Sequence, residues 1–265
     1  MIKGAYTHPD QLRIGDKASE DRYLAYIKGK GGNSLNLYAR AYMVNPTGRK
    51  QLNEFAIKAK AQGITHITVD VRRATEIPSW ELYYQSYGVN IEPLTEKEPW
   101  VDLDYAGTFL LLDALLRLKE KYACKVNFYI GWMGSKYVNP QEAVDRMVKV
   151  SDRIYISNYV TTSDFLSTQR GLGAWDNRMD KRCASIAIAC KTFSKKIDIV
   201  EIVSLEPEFC FDLYSKTGKN RSFYGTMYNT NVLTAYNQST QEVLANTSLV
   251  GRTIFYSKYM QQAQP

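Results

Sequence analysis

Short runs of β-branched and aromatic residues alternate along this chain with longer segments whose apolar positions recur at helical spacing. Eight strand candidates emerge: Lys3–Thr7, Leu35–Ala39, His66–Val71, Val89–Glu92, Lys125–Ile130, Arg153–Ser157, Asp198–Ser204 and Arg252–Ser257. Between them the pattern predicts helices over Glu20–Lys30, Arg49–Gln62, Tyr105–Tyr122, Gln141–Val150, Asn177–Lys195 and Met227–Ala245. Leu52, Phe55, Ala56 and Ala59 fall on one helical stripe, and Leu111, Leu112, Leu115, Leu116 and Leu118 form another. Asn45-Pro46-Thr47 and Asn139-Pro140 put a capping side chain and a helix-compatible proline where helices begin. Gly63 stands where a C-terminal cap belongs. This repeat predicts an α/β fold, a (β/α)8 TIM-type barrel. An open sheet covered on both faces is the rival, but no GxGxxG turn follows a strand to support its dinucleotide-binding form. One connection differs. Arg72–Gly88 carries Pro78, Trp80, Tyr83, Tyr84 and Tyr87 with little helical periodicity, which predicts an irregular β3–β4 excursion over the barrel mouth.

Composition narrows the picture without changing it. The 265 residues are 45% hydrophobic and 23% charged, enough for a large core, and no linker-like tract divides them. One domain spanning 1–265 is therefore expected. The longest apolar run, Phe109–Leu116, is broken by Asp113 and falls short of the roughly 20 residues of a membrane span, so no membrane insertion is expected. Met1-Ile2-Lys3-Gly4 lacks the apolar core of a signal peptide; the chain is either cytoplasmic or stripped of a targeting segment. The net charge of +7 is spread over helix faces, at Lys58, Lys60, Arg117, Lys119, Lys121, Lys195 and Lys196. Solvated surface accounts for it better than a phosphate-binding stripe, so no nucleic-acid partner is expected. Cys124, Cys183, Cys190 and Cys210 form no metal-binding spacing and are expected to be buried thiols.

The last inward residue of each strand and the turn beyond it form a skewed set. Tyr6 and His8 come from strand one, Tyr38, Arg40 and Tyr42 from strand two, and Asp70, Arg72 and Arg73 from strand three. Strand four contributes Asn90 and Glu92, with Glu96 beyond; strand five, Tyr129 and Trp132; strand six, Asn158 and Tyr159. Strand seven adds Ser204, Glu206 and Glu208, and strand eight Tyr256 and Lys258. Tyrosine and tryptophan faces with carboxylates and arginines suit a carbohydrate ligand. The plainer reading is that 20 tyrosines must go somewhere, and barrel ends are amphipathic surfaces.

Glycoside hydrolysis needs two carboxyls about 5 to 9.5 Å apart. Strands four and seven face each other across a barrel mouth, which makes Glu92 and Glu206 the sharpest catalytic pair, with Asp70 as a third candidate. Glu206 could instead be a turn residue before Pro207. Glu92 could be ion-paired to Arg40 or Arg72, which would lower its pKa and spoil it as a general acid. Tyr6, Tyr38, Arg40, Asn90, Tyr129, Trp132, Asn158, Tyr159, Glu208 and Tyr256 are the expected sugar-binding residues. No metal or cofactor is expected. Only His8 and His66 could supply imidazole, and His66 opens its strand far from the mouth. No Gly-rich phosphate turn follows strands seven or eight, no GxSxG is present, and nothing visible activates Lys258.

The segment Tyr87-Gly88-Val89-Asn90-Ile91-Glu92-Pro93-Leu94 resembles a degenerate chitinase-type (family 18 glycoside hydrolase) signature, DGxDxDxE. Gly88 matches its glycine, Asn90 and Glu92 take the two acidic positions, and Leu94 stands where the catalytic glutamate belongs. Tyr155-Ile156-Ser157-Asn158-Tyr159 is similar to that family's Met-x-Tyr-Asp strand. More broadly, Lys3-Gly4-Ala5-Tyr6, Leu35-Asn36-Leu37-Tyr38-Ala39, Tyr129-Ile130-Gly131-Trp132 and Ser204-Leu205-Glu206-Pro207-Glu208-Phe209 resemble uncharacterised barrel domains of secreted Bacteroidota proteins. The resemblance implies a TIM barrel, exported to the periplasm or beyond, that acts on carbohydrate. Without the glutamate at position 94, it equally implies an inactive glycan- or protein-binding barrel, or an enzyme with relocated carboxylates.

Overall fold

The computed structural model describes residues 2–7, 10–88, 91–95, 105–130, 141–157, 186–204 and 247–255. Eight parallel strands close in chain order: β1 (Ile2–Tyr6), β2 (Ser34–Leu37), β3 (His66–Val71), β4 (Glu92–Thr95), β5 (Asn127–Ile130), β6 (Arg153–Ser157), β7 (Ile197–Ser204) and β8 (Thr247–Phe255). Helices α1 (Lys17–Gly29), α2 (Arg40–Val44), α3 (Pro46–Ala61), α4 (Ile77–Tyr87), α5 (Tyr105–Tyr122) and α6 (Gln141–Val150) lie between them. The expected (β/α)8 barrel is the observed one. Among the described residues no helix is long and apolar enough to cross a membrane.

Local chemistry explains the boundaries. Asn45 Oδ1 accepts from the backbone N–H groups of Thr47 and Gly48 at 2.9 and 3.3 Å, and Pro46 begins α3, as its sequence predicts. Gly63 follows that helix with φ +91°, a conformation that side-chain-bearing residues rarely adopt. At the end of α6, Lys195 Nζ donates to the carbonyls of Val148, Lys149 and Ser151 at 2.6, 3.1 and 2.5 Å, satisfying groups that a helix terminus leaves open. The β1–β8 seam needs a glycine. A Cβ on Gly251 would lie 2.1 Å from the Ile2 carbonyl oxygen, so no larger residue lets the ring close unchanged.

The core has two shells. Outward strand residues such as Leu35, Val69, Phe128 and Ile154 pack under the helices with Leu52, Phe55, Leu111, Leu115 and Met147. Inside the ring a smaller cluster joins Ile2, Tyr6, Leu94, Tyr155, Val200 and Ile202. Around it the lumen is polar: Thr68 Oγ1 donates to Asn36 Oδ1 at 2.6 Å, and Asn36 Nδ2 donates to Thr253 Oγ1 at 3.3 Å.

Two expectations need correction. The β3–β4 connection is not an irregular excursion: after a 3-10 turn at Ala74–Glu76 it forms α4. Trp80, Tyr83, Tyr84 and Tyr87 follow the i, i+3, i+4, i+7 spacing of one helical face, and the first three are buried in the outer core. The two buried phenols are satisfied, Tyr83 donating to Asn53 Oδ1 and Tyr84 to the Ile91 carbonyl, at 3.1 and 2.8 Å. The fourth strand is also displaced. It begins at Glu92 rather than ending there.

Candidate active site at the barrel rim

Strand direction decides which residues can meet at the C-terminal face, where barrel active sites form. Tyr6 ends β1, Tyr38 follows β2, Asp70 is the penultimate residue of β3, and Tyr129 is the penultimate residue of β5. Their spacing from the barrel's inward positions follows the two-residue alternation of a strand. The three tyrosines meet: the Tyr6 and Tyr38 ring centroids are 5.5 Å apart, and those of Tyr6 and Tyr129 are 6.1 Å apart in an edge-on arrangement. Tyr6 is buried beneath, while Tyr38 and Tyr129 are partly open to solvent. Tyr6 thus forms a floor, and the other two form its upper surface.

Asp70 lies beside this surface with its carboxyl buried. Oδ1 accepts the Arg40 backbone N–H at 3.2 Å, and Oδ2 stands 3.7 Å from Arg72 Nε. Burial pushes the Asp70 carboxyl above its ordinary value, and the Arg72 guanidinium pulls partly against that rise. Such a group keeps its proton to higher pH than an exposed aspartate, which suits proton donation. Glu76, from the 3-10 turn, completes the cluster. Its Oε2 accepts the Arg72 backbone N–H at 3.2 Å, and its Oε1 lies 3.7 Å from Arg40 Nη1. Sequence reasoning missed Glu76, whose position after the strand end was assigned to the excursion.

Glu92 sits elsewhere. As the first residue of β4, it belongs to the opposite end of the ring, with Asn127 and Arg153, the first residues of β5 and β6. Its Oε2 accepts from Asn127 Nδ2 at 2.5 Å and from Arg153 Nη1 at 3.2 Å. The ion pair anticipated for Glu92 exists, but its partner is Arg153 rather than Arg40 or Arg72. Nearby His66 has its imidazole pKa lowered by burial and by the Arg153 charge. An arginine at an inward strand start requires a carboxylate partner, and that was the available signal. Glu206, Asn90, Trp132, Asn158, Tyr159, Glu208 and Tyr256 lie outside the described residues.

Other features of the described residues do not compete with the rim. No group of three or more His, Cys, Asp or Glu side chains among them could hold a metal ion. A surface hollow of about 250 Å³ between α2 and α3 is lined by Ala41, Tyr42, Asn45, Thr47, Gly48 and Gln51, with no titratable acid or base suited to catalysis near neutral pH. Cys124 and Cys190 are buried free thiols, both with pKa values pushed up by burial, Cys190 to about 11.

No family model matches the sequence, and no curated protein matches it. Solved structures do share the architecture. GH26C from Muricauda sp. superposes with a TM-score of 0.55 at 11% identity, over 97% of this chain and 79% of that one. A double mutant of the Cellulomonas fimi endo-β-1,4-mannanase gives 0.54 at 10% identity, over 97% of this chain; the match spans 64% of the mannanase. A GH18 chitinase from Pseudoalteromonas aurantia gives 0.51 at 9% identity, over 97% and 94% of the two chains. The chain therefore shares its closed (β/α)8 barrel with glycoside hydrolases, and at these identities the likeness is one of fold.

Proposed function

We propose that this barrel acts on or binds a carbohydrate at its strand C-terminal face, in the manner of a glycoside hydrolase. The observation that carries the reading is the juxtaposition of Tyr38 and Tyr129 over Tyr6 with the buried Asp70 carboxyl. Sugar C–H faces stack on such rings, and a carboxyl that retains its proton can serve a leaving oxygen. Asp70 is the proposed acid. Its proposed partner is Glu206, two residues after Ser204 in the sequence. Glu96, two residues after Leu94 in the sequence, is proposed for the role in place of Glu92. Trp132, Asn158, Tyr159, Glu208 and Tyr256 complete the proposed subsites, whereas Asn90 precedes the start of β4 in the chain and is not among them. The test is hydrolysis of a panel of oligosaccharides by wild type and by Asp70→Asn, Glu96→Gln and Glu206→Gln. A loss of about a hundredfold or more in at least one folded variant supports the assignment. Activity unchanged in all three removes these acids from the mechanism.

One observation favours a silent barrel as the second reading. Leu94, at the position of the chitinase-type glutamate, is buried in the apolar cluster of the lumen. That reading expects oligosaccharide or protein binding without turnover. Calorimetry on wild type and Trp132→Ala separates it from the first: binding weakened by the substitution, with no products released, is its signature.

A further inference from the structure

We infer that Ser157, at the C-terminal end of β6, is a specificity-determining residue of the rim: its hydroxyl bonds one hydroxyl of a sugar ring stacked on Tyr129. This inference rests on the carbohydrate reading and deepens it by naming a group the ligand must present.

Arg153, Tyr155 and Ser157 share one face of β6 by the two-residue alternation of a strand. That face is the inward one, because Tyr155 belongs to the apolar cluster of the lumen. The register agrees: Ser157 stands opposite Ile202 of β7, another member of that cluster. On the other side Tyr155 stands opposite Tyr129 of β5, so Ser157 lies one pleat repeat nearer the rim than that pair. Ser157 is wholly buried, and its Oγ has no hydrogen-bond partner among the described residues. A serine hydroxyl both donates and accepts, and leaving a buried one unbonded is costly. Asn127 Oδ1 and Arg153 Nε also lack partners, but both residues open their strands and are bonded to Glu92 through other atoms. In a barrel the strand starts serve stability and the strand ends serve the ligand. Ser157 is at a strand end, has a single polar side-chain atom, and faces an isoleucine that offers it nothing to bond. An uncharged hydroxyl so placed suits an uncharged partner. A sugar ring against Tyr129 turns its hydroxyls edgewise, toward the neighbouring strand that carries Ser157.

The experiment compares wild type with Ser157→Ala in saccharide binding and in thermal unfolding. The probes are short manno-, cello- and chito-oligosaccharides, followed by the monodeoxy analogues of whichever binds. The alanine variant is expected to bind the parent saccharide about tenfold more weakly and to melt no lower than wild type, since the protein itself does not bond the hydroxyl. Wild type should bind one monodeoxy analogue about tenfold more weakly than the parent, and Ser157→Ala should bind the two alike. A purely structural serine would instead move the melting point and leave that discrimination intact. Equal binding by wild type and variant, discrimination that survives in the variant, or a variant that melts lower or fails to fold overturns the inference and leaves the carbohydrate reading standing. A folded wild type that binds none of the saccharides overturns both.

Discussion

Replacing Glu92 by glutamine separates a structural carboxylate from a catalytic one. Glutamine keeps the shape and an acceptor for Asn127 Nδ2, but removes the charge opposite Arg153. The Arg153 side chain is 4% exposed and that of Glu92 15%, so little solvent is available to compensate. Removing one partner of a buried pair costs about 3–5 kcal/mol; the surviving hydrogen bond and the partial exposure put this case near 3 kcal/mol. For a chain of this size each kcal/mol moves the melting temperature by about 2–4 °C, so Glu92→Gln should melt about 6–12 °C lower. Removing both charges, as in Glu92→Leu with Arg153→Met, should recover most of that loss, because an apolar pair of similar volume avoids desolvating two ions. Scanning calorimetry of the wild type, Glu92→Leu, Arg153→Met and the double variant closes the cycle; with each single variant losing about 3 kcal/mol and the double variant about 1 kcal/mol, the expected coupling is about 5 kcal/mol. Turnover or ligand binding well below the melting point should be unchanged in Glu92→Gln. A variant that melts like wild type but loses activity would refute the placement of Glu92 away from the chemistry.

Gly251→Ala should destabilise by about 3 kcal/mol, because its methyl would overlap the Ile2 backbone at the seam that closes the ring; equilibrium urea unfolding reads this. Lys195→Met should cost about 2 kcal/mol through loss of three charge-assisted bonds to carbonyls, and should speed hydrogen exchange at the end of α6 relative to α3. The Asp70 carboxyl has a folded pKa above its unfolded one, so the native state holds more protons in the interval between them. Its contribution is complete below the ordinary carboxylate value and is lost as pH rises through the raised one. Urea titrations from pH 3.5 to 7 should show that decline in wild type and a flatter curve for Asp70→Asn.

Much of the barrel was legible because its signals are local. β3, β6, α5 and α6 begin and end where the apolar period and its punctuation place them. Two-residue alternation also identified Tyr6, Tyr38, Asp70 and Tyr129 as inward residues near strand ends, and the ring brings them together. The failures share one cause, side chains whose role depends on distant neighbours. Trp80, Tyr83, Tyr84 and Tyr87 looked like mouth residues until helix α3 supplied Asn53 for a buried phenol. Gly88 and Asn90 suggested a signature strand, but Gly88 has φ +85° and terminates α4, so the ladder starts at Glu92. Glu92 and Arg153 are 61 residues apart, and their pairing follows from the register of three strands, which no local pattern encodes.

A crystal structure with a bound oligosaccharide tests the central claim most directly. The expected result is a sugar ring against Tyr38 or Tyr129, with a glycosidic oxygen facing Asp70. A saccharide seated at the Glu92–Arg153 end of the barrel, or in the hollow between α2 and α3, would contradict it.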